Sequence, residues 1–371
     1  MKKMKIGIIT FQYADNYGAL LQAFALKKYL QGMGHEVKII NYDNSYLYMK
    51  NRSIKNRIIS TVWRIIALLL GKRKKLEKFK KFRSEILQID STVIRNKKQI
   101  INYTNAMNFD MYIVGSDQVW NPYITMNDDV YYLSFEKNKR KISYAASFGI
   151  DEFPNEYKET FIQNIKQFSS ISVREKTAKK ILSLMKIENV RVVLDPVFLL
   201  NKEIWGKEAI TTENEPYILC YYMPGDKKCE NLIKKTAKKL NEKYNYRIIN
   251  IGRKEYKRFL KDGTDIVSAS PFEFLGYFKN AKFIVTNSFH GTAFSIIFEK
   301  DFFSVVNIEN NGEKKLSSRI VDLLNSVELT TNIIKNDNYN IDDVKIDYDK
   351  VNEKLSAMID KSKDYLDASL K

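Results

Sequence analysis

The stretch FIVTNSFHGTAF, residues 283–294, sets His290 directly after an apolar run and directly before a glycine, in a chain of 371 residues with two histidines. An imidazole exchanges its proton near neutral pH, so a histidine at the polar end of a strand can serve as a general acid or base. Asn287 and Ser288 are helix-capping types, and Gly291 leaves the backbone bare enough for a ligand to approach closely. The other histidine, His35 in GMGHEV, reads as an exposed turn residue.

Three further polar clusters follow apolar runs. In YIVGSDQVWNP (112–122), Asp117, Gln118 and Trp120 crowd into one loop; they read either as turn chemistry or as an amide and an aromatic ring offered to a sugar. SISVRE (170–175) ends on Arg174. Its guanidinium can fork onto a carboxylate or phosphate of a ligand, or it can pair with Glu175 or another neighbour. In ADNYGALLQA (14–23), Gly18 and the first turn of a helix can hold an anion, while Asn16 can equally be a plain N-cap. Asp195, before Pro196, reads as part of a structural turn. The chain lacks GxGxxG, Walker, HExxH and CxxC patterns, and NDD at 127–129 is a poor metal triad, so neither a metal nor a cofactor is expected.

Something must carry those strand ends. KIGIITF, a helix over ALLQAFALKKYLQ, a stop at Gly32 to Gly34 and EVKIINY form a strand–helix–strand unit, the building block of a parallel sheet. MYIVGS, KISYAAS, SISVRE and VRVVLD continue the pattern. NKEIWGKEAITTENEP (201–216) has no clear period and reads as a connection. Beyond it the alternation restarts with YILCYYM, a helix near 227–243, YRIINIG, a helix over PFEFLGYFKNA, strand KFIVT and a helix beginning near Gly291. The expected architecture is α/β, with two Rossmann-like domains facing a cleft: 1–205 and 213–335, followed by a charged helical tail at 342–371 that packs back on the core.

Composition sets outer bounds. At 44% hydrophobic and 13% aromatic the chain can build sizeable cores, which excludes a disordered protein. Cys220 and Cys229 are too few for a disulfide framework and suggest a reduced cytoplasm. No run reaches the roughly 18–20 apolar residues of a membrane span, and the N-terminal run is too short for a secretory leader. Of the net charge of +18, much lies in residues 50–83, where thirteen Lys and Arg face Glu77 alone. Ile54, Ile58, Val62, Ile65, Ile66 and Leu69 recur there at helical spacing beside Trp63. This basic amphipathic insert reads either as a helix packed on its own domain or as one lying on an anionic membrane surface. It contains no recognisable nucleic-acid module, and nucleic acid is not an expected partner.

Taken in order, NYGALLQAFAL, YIVGSDQVWNP, YAASFG, ISVRE, VLDPVFLL and NSFHGTAF resemble the polysaccharide pyruvyl transferase family, over roughly residues 10–325. The resemblance implies a GT-B-like two-domain fold. It also implies transfer of pyruvate from phosphoenolpyruvate onto sugar hydroxyls as a ketal, with phosphoenolpyruvate as donor substrate rather than cofactor. His290 then matches the histidine of the family's Ser-x-His-Gly motif and would protonate the donor's methylene carbon. Arg174 matches the strand-end arginine and would stabilise the departing phosphate. A basic residue after the histidine helix also contributes, with Lys314, Lys315 and Arg319 all eligible. Asn16, Gly18, Asp117, Gln118, Trp120, Ser288 and Gly291 complete the expected substrate contacts. The acceptor would be a sugar or lipid-linked oligosaccharide, with the enzyme cytoplasmic or peripheral at the inner membrane face. Two rival readings are a GT-B glycosyltransferase using a nucleotide sugar and a non-catalytic scaffold for polysaccharide assembly at the membrane.

Overall fold

The computed structural model describes residues 2–45, 47, 73–251, 260, 263–266, 268–307 and 318–371. The chain divides into two compact units, one of Met1–Trp63, Lys80–Leu199 and Met358–Lys371, the other of Arg64–Phe79 and Leu200–Ala357.

The first unit carries strands β1 (Lys5–Ile9), β2 (Glu36–Ile39), β3 (Met111–Val114) and β4 (Arg140–Ser143) in the order β2-β1-β3-β4, every pairing parallel. Strands β5 (Ile171–Val173) and β6 (Val190–Val192) pair with each other, and β5 runs beside β4 through bonds from Ser143 N–H to Ser170 O (3.1 Å) and from Ala146 N–H to Ser172 O (3.2 Å). MYIV of β3 is buried throughout, as expected of a parallel strand covered on both faces. The Tyr17–Gly32 helix buries most of its length for the same reason.

The second unit contains β7 (Tyr217–Tyr221), β8 (Arg247–Ile251), β9 (Thr264–Asp265), β10 (Phe283–Thr286), β11 (Asp301–Val305) and β12 (Ile333–Ile334), all parallel, in the order β12-β11-β10-β7-β8-β9. The chain moves outward from β7 to β9, then returns to β10 and moves outward the other way. The reversal lies between β7 and β10; in the first unit it lies between β1 and β3. Such reversals open crevices at the carboxyl edge of a parallel sheet, where ligands gather.

Three sequence expectations change: the connection at 201–208, the boundary near 205 and His35. Residues 201–208 are not a loose connection: Asn201 caps the Lys202–Glu208 helix by accepting from Ile204 N–H (2.9 Å), and buried Trp205 packs edge-on against Phe294 at 5.2 Å. With Ile204 and Trp205 the only large apolar residues in seven, no period was visible. The first unit's central segment accordingly ends at Leu199, short of 205. The tail forms the Tyr348–Ser369 helix; its residues to 357 count with the second unit and the rest with the first, where Tyr365 Oη donates to Ser143 O (2.8 Å). His35 is buried rather than exposed, its Nδ1 accepting from Met4 N–H (3.2 Å).

Of the basic insert, residues 50–72, with the helix expected over 54–69, lie outside the described residues. Its remainder is fastened to protein. Phe79 and Phe82 are buried, and Lys78 bonds both Glu273 oxygens (2.6 and 2.8 Å).

Candidate active site

The strongest cluster forms where β10 leaves the second sheet, beside the reversal. Asn287 accepts from Met223 N–H (2.6 Å) and donates to Met223 O (3.1 Å), which ties the exit of β10 to that of β7. Thr286 Oγ1 donates to Tyr221 O (2.6 Å) and accepts from Ser288 N–H (3.0 Å). Ser288 then caps the Phe289–Ile297 helix, its hydroxyl taking Gly291 N–H at 3.4 Å. These short polar residues after an apolar strand dictate where the helix starts and hold His290 in its first turn.

His290 is 7% exposed, with its ring edge-on to Phe289 at 5.3 Å. The same Phe289 ring faces the Arg319 guanidinium, whose carbon lies 5.9 Å from the ring centroid. Arg319 comes from the Ser318–Ser326 helix, so one aromatic ring gathers an imidazole and a guanidinium beside a helix N-terminus. Of the three basic residues left open by the sequence, Arg319 therefore reaches the histidine's surroundings; Lys314 and Lys315 lie outside the described residues. An imidazole, a guanidinium and first-turn N–H groups form a set able to receive an anionic ligand and to exchange a proton with it.

Gly291 has a packing role. A Cβ there would press into Thr286 Oγ1 and stand 3.1 Å from Thr286 Cβ and from Tyr221 Cδ1. The glycine lets the helix lie close on the sheet.

In the first unit, the loop after β3 is also tied down by hydrogen bonds. Gln22, buried in the Tyr17–Gly32 helix, accepts from Ser116 N–H (3.0 Å) and donates to Thr10 Oγ1 (2.8 Å), bridging the exits of β1 and β3. Arg174, its side chain 1% exposed, is the hub of three carboxylates: Asp195 at 2.7 Å, Asp117 at 3.5 Å and Glu175 at 3.9 Å. Burial alone pulls its pKa down, but the three negative charges outweigh burial and raise it. Glu175 also accepts from Ser147 Oγ (2.9 Å), Phe148 N–H (3.0 Å) and Gly149 N–H (3.3 Å). Arg174 thus joins the exits of β3, β4, β5 and β6, and of these three carboxylates Asp117 is the most exposed, at 15%.

The remaining first-unit residues sort plainly. Trp120 is fully buried among Phe148, Phe161 and Phe168, its Nε1 donating to Tyr131 O (3.2 Å), so it does not face a sugar; an aromatic in a loop quotation carries no sign of its direction. Gln118 packs against Gly149 and accepts from Asn121 (3.1 Å). Asn16 is the N-cap, accepting from Ala19 N–H (3.3 Å), and Gly18 lies buried in the turn that follows. Sequence reasoning missed Gln22, although a lone glutamine inside ALLQAFAL was a readable signal. It also missed Arg83, which was counted among the basic insert's charges and instead grips the loop after β1. Among the described residues no group of three or more His, Cys, Asp or Glu could hold a metal ion, and no helix is long and apolar enough to cross a membrane.

The sequence profile of polysaccharide pyruvyl transferases matches residues 16–310, a span containing Arg174 and the Ser288–Gly291 turn. The chain belongs to this family. No curated protein matches it significantly in sequence. Among solved structures, this pyruvyl transferase family member is similar to a glycosyltransferase from Rickettsia africae ESF-5 (12% identity, all of both chains covered, TM-score 0.52). It is similar also to S. aureus MnaA in its co-structure with UDP (14% identity, 96% of this chain and 90% of that one, TM-score 0.51). A third is the UDP-GlcNAc 2-epimerase of Methanocaldococcus jannaschii (14% identity, 96% and 93% covered, TM-score 0.50). At these identities the likeness is one of fold, and the fold is GT-B-like.

Proposed function

We propose that the chain transfers pyruvate from phosphoenolpyruvate to two hydroxyls of a sugar, in a cell-surface polysaccharide or its lipid-linked precursor, forming a ketal and releasing phosphate. The observation that carries this reading is the gathering of His290 and Arg319 around Phe289 at the carboxyl edge of a parallel sheet. The donor carries a carboxylate and a phosphate, which call for a fixed cation and helix N–H groups. Protonation of its methylene carbon, the role given to His290, builds positive character on the neighbouring carbon. One sugar hydroxyl attacks there and loses its proton, phosphate departs, and a second hydroxyl attacks in turn. Of the two hydroxyl protons, one replaces that given up by His290 and the other leaves with phosphate.

Arg319 takes the part of donor anchor in this scheme. Arg174, already surrounded by three carboxylates, is better suited to fixing the loops after β3 to β6 than to meeting a departing phosphate. The acceptor's lipid carrier would bring the enzyme to the cytoplasmic membrane face, where exposed Lys74, Lys80 and Lys81 would favour anionic lipid.

The test is calorimetric titration with phosphoenolpyruvate and with a panel of nucleotide sugars in the same buffer, followed by a phosphate-release assay. Saturable phosphoenolpyruvate binding, weakened about 10- to 100-fold in Arg319→Ala as expected for one lost charge-assisted contact, is the supporting result. His290→Asn should then bind the donor yet lose most turnover. Binding of a nucleotide sugar with phosphoenolpyruvate silent would replace pyruvyl by glycosyl transfer, and binding of neither would favour a scaffold.

A further inference from the structure

The loop Gln12–Asn16, leaving β1 beside the first sheet's reversal, is held from several sides. Gln12 Nε2 donates to Tyr42 O (2.7 Å), Tyr13 Oη donates to Asn44 Oδ1 (2.6 Å), and Asn16 caps the following helix. The remaining hold comes from far along the chain. Arg83 Nε donates to Gln12 O (3.1 Å), Nη2 to Tyr13 O (3.0 Å), and Nη1 to Asp15 Oδ1 (3.0 Å), with Nη2 closing on the same carboxylate oxygen. Arg83 is itself seated firmly. It lies next to buried Phe82, which packs on Phe24 at 6.2 Å, and Lys27 Nζ bonds Leu87 O (2.6 Å) just beyond.

Loops at sheet edges are ordinarily the mobile, variable parts of a fold. Here a rigid planar fork spans two backbone carbonyls and a carboxylate, a pattern that one ammonium cannot reproduce. Exposed Asp15 offsets the cation, so the loop keeps no spare positive charge. Such a surface suits hydroxyls rather than an anion.

We propose that Arg83 is a positioning residue that shapes the Gln12–Asn16 loop to receive the sugar acceptor. The acceptor's identity as a sugar rests on the pyruvyl-transfer reading above. The role explains why the end of a strongly basic insert turns inward: Arg83 belongs to the site and not to the charged surface.

The experiment compares wild type, Arg83→Ala, Arg83→Lys and Arg73→Ala, an exposed residue of the same stretch paired with Glu77. Turnover of phosphoenolpyruvate is followed with a panel of monosaccharide acceptors, with and without millimolar guanidinium ion. Arg83→Ala should raise the acceptor KM tenfold or more, change kcat less, and leave the phosphoenolpyruvate KM within twofold. Guanidinium should recover part of the loss, lysine little, and Arg73→Ala should match wild type. Unchanged acceptor KM in Arg83→Ala overturns the proposal, as does a loss that guanidinium cannot repair and that only follows melting temperature. If wild type fails to turn over phosphoenolpyruvate, the pyruvyl-transfer reading falls. The loop is then judged on hydrogen exchange at Tyr13–Asn16, where protection by the same sugars in wild type but not in Arg83→Ala upholds the inference, and equal exchange in both proteins ends it.

Discussion

Gly291→Ala separates two accounts of the residue that follows the site histidine. In a helix interior, glycine to alanine ordinarily stabilises by about 1 kcal/mol. At this position the new methyl would press into Thr286 Oγ1, with Thr286 Cβ and Tyr221 Cδ1 each 3.1 Å away. Thr286 cannot swing aside freely, because its hydroxyl bonds both Tyr221 O and Ser288 N–H. Breaking those two bonds costs about 0.5–1.5 kcal/mol each, and forcing a methylene-sized group into a packed contact costs about 1–3 kcal/mol more. Even after the helix-propensity gain, a net loss of about 1–5 kcal/mol is expected.

Urea denaturation followed by far-ultraviolet circular dichroism measures the loss, and a double-mutant cycle locates it. Thr286→Ala removes the oxygen in the way, so Gly291→Ala/Thr286→Ala should lose less than the two single changes together, by about 1–2 kcal/mol. A Gly291→Ala protein at least as stable as wild type, but with weakened phosphoenolpyruvate binding, refutes the packing argument and restores the view that the bare backbone serves a ligand.

Two other substitutions probe the first unit. Trp120→Ala should destabilise by about 3–5 kcal/mol, because the ring is enclosed by Phe148, Phe161 and Phe168; acceptor affinity of the folded fraction should stay unchanged, and the reverse pattern would return Trp120 to a sugar-facing surface. Asp128 has its pKa raised, chiefly by burial, against the opposing bonds from Tyr42 Oη and Val130 N–H. A raised folded-state value gives stability that is present at low pH and lost as pH rises through that value. Asp128→Asn keeps groups able to bond Tyr42 and Val130, so its melting temperature should exceed wild type at pH 7–8 and converge with it toward pH 3; a constant difference across that range would contradict the assignment.

The legible part of this chain is the part whose physics is local. Parallel strands covered on both faces need uninterrupted apolar runs, so KIGII, MYIV and FIVT announced themselves, and the polar residues just after them marked the sheet edges. Strands β9 and β12 have two residues each, too few to form a pattern, and rest on neighbours already in place. The Asn16 and Ser288 caps were readable because a cap bonds its own helix three residues on.

What stayed hidden depends on partners distant in sequence. Arg174 could be recognised as an arginine at a strand end, but its companions Asp117 and Asp195 stand 57 and 21 residues away, and they make it the centre of an ion-pair hub. Arg83 reaches its loop across 68 to 71 residues, so charge counting assigned it to a surface that it leaves. Arg319 shows the opposite case: three basic residues after the helix were equivalent as sequence, and the ring of Phe289, adjacent to His290, distinguishes the one that packs beside it. A sequence can thus nominate a histidine at a sheet edge from its own neighbours. Which cation packs beside it is decided by a second helix, and which cation is held among carboxylates is decided by the residues that other strands bring to the same edge.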